Sequence, residues 1–319
     1  MNNPSIPASD RAASGEQFVL RRADACAIVA SLAAGLRHYD RGGVELVESY
    51  GTDVVAPGAA GLTLAPFANR VDGGQWELDG TIQQLNITEV ARNNAIHGLL
   101  RDTGYTALES SGHHVLLEAT IFPQHGYPFL ARHQVRYELT ETGELRVEQT
   151  LINDSPRSAP FVLGAHPYFR IGDTAPEEIT ITVDAQTRIP ATDRMIPTGA
   201  APVDGIYDLR RGRLLGEVIM DTAFTDLAFS GPSGGTAGDD GVARHTLTAP
   251  DGRNVSLWHD HTVSYVHVYI TDNFPGRPLA VAMEPMTGPA NAFNSGDGLK
   301  WLEPGATFTM RWGIDSELG

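Results

Sequence analysis

Cysteine is almost absent: Cys26 stands alone among 319 residues. A single thiol excludes an internal disulfide and fits a reducing compartment. Positive charge is scarce as well. Thirty-nine acidic residues outnumber 23 basic ones, for a formal charge of −16. That balance disfavours non-specific binding to nucleic acid or to an anionic membrane, and it weighs against an anionic substrate. No apolar run is long enough to span a bilayer. Arg21-Arg22 and the weakly apolar residues 23–36 imitate a signal peptide. Asp24 and Ser31 interrupt that run, however, and a strand-like stretch, residues 17–20, precedes it. A hairpin turning near Gly35 accounts for the segment better, and the chain reads as cytoplasmic. Also missing are a phosphate loop, a dinucleotide glycine fingerprint, a nucleophile elbow and a cysteine pair. Covalent and cofactor chemistry gain no support from the sequence. General acid–base chemistry does.

What is present is strand. The residues are 41% hydrophobic, enough for a large core, and 34 glycines and 20 prolines imply many turns. Residues 1–14 are small and polar and are expected to form a disordered tail. From there on, 15–319 reads as one domain. Ala131, His133, Val135, Tyr137 and Leu139 alternate with polar residues, as do Leu145, Val147, Gln149 and Leu151 after a Gly143 turn. Phe308, Met310, Trp312 and Ile314 repeat the pattern. A period of two means half-buried strands. No long window carries a helical stripe. The expected fold is all-β, a large antiparallel sandwich. Residues 230–241, rich in Gly, Ser and Asp, read as a surface loop.

One stretch draws the candidates together. Residues 161–170, FVLGAHPYFR, run as an apolar strand into His166 and then Pro167. Proline cannot donate to a ladder, so the strand must stop or bulge there. A lone histidine in such a place reads as a buried one with satisfied nitrogens. Glu284 changes the odds. It follows the apolar residues 279–282 and precedes Pro285, and glutamate is seldom buried without a partner or a task. Two strand ends, each with a proton-transfer group before proline, suggest one concave site. Other groups are weaker alone. Asn69-Arg70, before Gly73-Gly74, reads as a solvent-facing pair. Asn93-Asn94 with His97-Gly98 suits either a polar loop at a sheet end or an Asx-turn. Asp221 reads as a turn aspartate. His259 and His261, at i and i+2, have metal-ligand spacing, but with His267 as a distant third ligand they read as a solvated turn, and no metal is expected.

Taken in order, Asn69-Arg70, Asn94-Ala95-Ile96-His97-Gly98, His166-Pro167-Tyr168-Phe169, Asp221 with Phe224, and Glu284-Pro285 resemble the aldose 1-epimerases, the galactose mutarotase-like proteins. The resemblance covers about residues 15–314, and the segment 284–293 with Leu302-Glu303-Pro304-Gly305 is its most specific part. It implies a galactose mutarotase-like supersandwich with a sugar cleft. Glu284 would take the proton from the C1 hydroxyl and His166 would protonate the ring oxygen. His97 would join them as a catalytic residue, Arg70 and Asn69 would bind the sugar, and Asp221 would accept hydrogen bonds from its hydroxyls. No cofactor is implied, and the protein would be a monomer or homodimer acting on a free aldose.

Arg101 departs from the galactose-type pattern: Leu99-Leu100-Arg101 stands where that branch often has a second glycine. An arginine there is similar to the hexose 6-phosphate 1-epimerase branch. That substrate, a non-catalytic carbohydrate-binding protein on the same fold, and a metal-dependent enzyme using His259 and His261 are the alternatives.

Overall fold

The alternation at 131–151 appears as two nine-residue strands, Ala131–Leu139 and Leu145–Asn153, buried at every second residue. In the computed structural model, which describes residues 12–230 and 241–319, they sit inside a nine-stranded antiparallel sheet. Its C-terminal member, Thr307–Glu317, pairs with Leu145–Asn153 on one side and Asn254–His259 on the other. Val135, Tyr137, Val147, Leu151 and Trp312 turn into the core. Burying each is worth about 1.5–3 kcal/mol, so a one-residue slip that exposed them all is excluded.

A second, eight-stranded antiparallel sheet carries Met220–Leu227, Tyr265–Thr271 and Ala280–Met286 side by side. Val266, Val268 and Met283 on one face join the same buried cluster as the nine-stranded sheet. His267 is paired with Glu284 and with Ala223, and Asp221 with Tyr269. Cross-strand partners share a face, so Asp221, His267, Tyr269 and Glu284 all project on the side away from that core. The hairpin expected near Gly35 is present, with Ala25–Ala30 paired to Gly35–Arg41. Helix is confined to Ala292–Ser295 and short 3₁₀ turns among the described residues.

Several expectations need correction. Residues 161–170 do not form one strand. Ala159–Phe161, Gly164–Ala165 and Tyr168–Phe169 are three short pieces, the first paired with Lys300–Leu302 and the other two both laid against Ala280–Met286. Nor does Glu284 end a strand, because Ala280–Met286 continues through Pro285. Proline is tolerated there because its neighbour has let go. Gly164 pairs with Met286 and Tyr168 with Ala282, leaving the positions between them unpaired opposite Pro285. Gly164 is required at this crossing, since a Cβ would lie 2.9 Å from that of Ala68. Asp221 lies inside a strand rather than at a turn. Of the expected tail, residues 1–11 fall outside the described residues, and Ser14 is buried and bonded to the carbonyl of Thr52. The loop read at 230–241 lies, apart from its ends, outside the described residues.

Candidate active site

Counting inward from Gly164↔Met286 and Tyr168↔Ala282 sets His166 directly opposite Glu284, in the gap of the ladder. Its backbone is pinned on both sides: the His166 N–H donates to Leu62 O at 3.0 Å, and Gly61 N–H donates to His166 O at 2.8 Å. The imidazole stacks on Tyr168, with ring centroids 5.1 Å apart. His166 Nε2 then stands 3.4 Å from Glu284 Oε1. Both side chains are nearly inaccessible, and Glu284 Oε2 and His166 Nδ1 have no protein hydrogen-bond partner. Buried polar atoms without a partner are costly. Both residues line the same cleft.

His97 reaches the same point from the opposite wall. Asn94–Ile96 pairs with Arg70–Asp72, and His97 N–H donates to Asn69 O at 2.9 Å. The chain then turns at Gly98, whose φ is +79° and where a Cβ would lie 2.2 Å from Ala65 O. Only glycine fits both demands. The His97 ring meets His166 edge-on at 5.2 Å. The Asx-turn reading of this segment is not what forms: Asn93 is instead the left-handed cap of a short 3₁₀ turn.

Arg70 and Asn69 are buried rather than solvent-facing. Arg70 makes a two-pronged ion pair with Glu89, at 2.9 and 3.0 Å, and donates to Asn69 Oδ1 at 3.2 Å. Its Nη2, one of the two nitrogens bonded to Glu89, also lies 3.9 Å from Asp221 Oδ2. Asp221 Oδ1 in turn is 2.6 Å from His267 Nε2. Glu89 and His267 are the two groups that sequence reasoning missed. Nothing local marks Glu89. His267 carried a signal, as the one polar residue between Val266 and Val268, on the face that the core does not use.

The electrostatics separate the three histidines. Burial pushes His97 well below its ordinary value, with help from the neighbouring His166. Burial also lowers His166, although Glu284 opposes it. For His267 burial again works downward, but the hydrogen bond it donates to Asp221 and the charges of Glu284 and Asp221 win, and the ring ends above its ordinary value. Asp221 is lowered despite burial by the hydrogen bond and charge of His267 and by the charge of Arg70. All six candidate residues, Asn69, Arg70, His97, His166, Asp221 and Glu284, line one cleft of about 620 Å³, within the size range of small-molecule sites.

Arg101 also lines this cleft, with only a 3.8 Å contact to the exposed Asp102. His259 and His261 are elsewhere, and the solvated-turn reading holds for His261, which is exposed at a turn, but not for His259. His259 is fully buried, its Nε2 3.0 Å from that of His245, while His261 stacks on Phe229 at 3.8 Å. Among the described residues they do not gather with a third His, Cys, Asp or Glu into a ligand cluster, and His267 faces Asp221 instead.

A two-sheet antiparallel sandwich with such a cleft is the galactose mutarotase-like fold. The galactose mutarotase/aldose epimerase homologue from C. elegans superposes with a TM-score of 0.80, at 17% identity, over 95% of this chain and 99% of that one. Galactose 1-epimerase from Lactobacillus acidophilus gives 0.72 at 20% identity, covering 94% and 93%. The aldose 1-epimerase family model matches residues 24–314, and the chain belongs to that family. It is 30% identical to the uncharacterized protein YihR of Escherichia coli K12 over 98% of this chain and 96% of that protein. It is 29% identical to the galactose mutarotase of Pongo abelii over about half of each, 50% and 48%.

Proposed function

We propose that the protein is an aldose 1-epimerase that interconverts the α and β anomers of a free aldose. The observation that carries this reading is the His166–Glu284 pair, 3.4 Å apart and nearly inaccessible on the lining of one cleft, with one polar atom of each side chain left without a protein partner. Opening a pyranose ring removes a proton from the C1 hydroxyl and places one on the ring oxygen. Glu284 takes the first and His166 supplies the second. The C1–ring oxygen bond breaks to give the free aldehyde, C1 rotates, and closure reverses both transfers. A positioned acid or base contributes about 10²–10⁴ to rate. His166 is a strong acid when protonated, because burial disfavours its charged form. His97 and Arg70 sit beside the ring oxygen and C1, and Asp221 accepts from hydroxyls further round. Asn69 orients Arg70. No cofactor takes part in these steps.

Arg101 favours a second reading. An arginine on the cleft wall with no close carboxylate suits a charge-assisted bond to an anionic substituent such as a 6-phosphate. Against it, Arg70 and Arg92 of the same cleft are both occupied by Glu89, and the overall charge of −16 repels anions. Anomer exchange followed by polarimetry or NMR, on free aldoses and their phosphates, tests both readings.

A further inference from the structure

Glu284 has two histidine neighbours on the sheet, one on each side. His166 faces it across the gapped edge and His267 across the continuous ladder with Tyr265–Thr271. The catalytic reading uses His166 and leaves His267 without a task. Yet His267 is the better held of the two: 6% exposed, on an unbroken central strand, with Nε2 2.6 Å from Asp221 Oδ1. Its Nδ1 is buried and has no protein partner.

We propose that His267 is a positioning residue: by donating to Asp221 and facing Glu284, it carries the resident positive charge of the cleft floor, and so fixes the Asp221 carboxylate and decides which histidine holds the spare proton. The kinetic side of this rests on the acid–base reading above. The charged groups around His267 are Asp221 on Met220–Leu227, Glu284 on Ala280–Met286, Arg70 on Arg70–Asp72, His166 beside Gly164–Ala165, and His97 after Asn94–Ile96. Two of them are carboxylates, and both favour the charged ring. Its charge in turn disfavours a second proton on His97 and on His166, and both are lowered in part by it. A donor so destabilised gives its proton more readily to the weakly basic ring oxygen of a sugar. Asp221, caught between His267 and Arg70, presents a fixed acceptor for hydroxyls rather than a swinging one.

The test is ¹⁵N NMR of imidazole-labelled protein, titrated with pH. At pH 6.5 His267 is expected to read as mostly imidazolium while His97 and His166 read as neutral. In His267→Gln, which keeps a donor towards Asp221 but no charge, the His166 titration moves up by about half a unit or more. The alkaline limb of kcat/KM moves up with it, and kcat falls more than KM rises. Merely loosening the fold would not raise that limb. Should the variant fail to fold, Asp221→Asn serves: the His267 titration is expected to fall. A neutral His267 at pH 6.5, an unmoved His166 in His267→Gln, or an unmoved His267 in Asp221→Asn overturns the proposal. If the wild type exchanges no aldose anomers, the enzymatic reading fails by itself, because the NMR result does not depend on turnover.

Discussion

His166 and Glu284 face each other across a break in a sheet ladder, 3.4 Å apart, where Pro285 could not have donated a hydrogen bond anyway. The break is what makes the site. In place of a ladder with Ala280–Met286, the His166 backbone bonds to Leu62 and Gly61.

Glu284→Gln is nearly isosteric but cannot accept the proton. It is expected to fold and to lose about 10²-fold or more in kcat. Circular dichroism and polarimetry check the two halves of that statement. Activity within a few-fold of wild type would remove Glu284 from the base role.

His166→Asn is expected to lose a similar factor, about 10²–10⁴, and its residual rate should lose the alkaline limb. The sign follows from the lowered titration of His166: its protonated form, the donor, thins out as pH rises through that value. A wild-type kcat/KM that climbs steadily with pH across the neutral range would speak against His166 as the acid.

Arg70→Ala takes from the half-buried Glu89 its two-pronged partner and leaves it Arg92 and Asn94, a loss of about 1–3 kcal/mol. The double variant Arg70→Met/Glu89→Leu is expected to regain much of that stability in urea unfolding. It should not regain activity, because the cation beside Asp221 is still missing. Recovery of both would make Arg70 purely architectural.

Acid should unfold the protein through its buried histidines. Burial holds His259 down at about 4 and His133 at about 3. In the unfolded chain each titrates near 6.5. Below about 6.5 the unfolded state therefore binds more protons, so this stability is complete above that pH. It is lost towards about 4 for His259 and about 3 for His133, at roughly 1.4 kcal/mol per histidine per pH unit. Urea midpoints at pH 7 and 4.5 measure the loss, and it should be shallower in His259→Gln. Equal slopes in both proteins would contradict the assignment.

The strands were legible because alternation is a local property: residues 131–151 and 307–317 state their inward face without help from the rest of the chain. His166 and Glu284 were legible because each is a proton-transfer group set before proline in an apolar run. The rest depends on pairing. Asp221 looks like a turn residue until Met220–Leu227 is laid beside Tyr265–Thr271, and Arg70 looks solvent-facing until Glu89, 19 residues away, closes over it. His259 looked solvated because no local pattern reveals His245 across the ladder.

Arg101→Ala is expected to change the free-sugar rate little, and glucose or galactose should have a higher kcat/KM than glucose 6-phosphate. A clear preference for the phosphate, abolished in Arg101→Ala, would move the substrate to the anionic class and leave the Glu284–His166 assignment intact.

The most direct measurement is the exchange of α- and β-anomer NMR signals of glucose and galactose, with wild type and with Glu284→Gln at equal concentration. The expected result is exchange far above the buffer rate in wild type and close to the buffer rate in the variant. Buffer-level exchange in both, across the aldose panel, or equal acceleration by both, would contradict acid–base ring opening by Glu284 and His166.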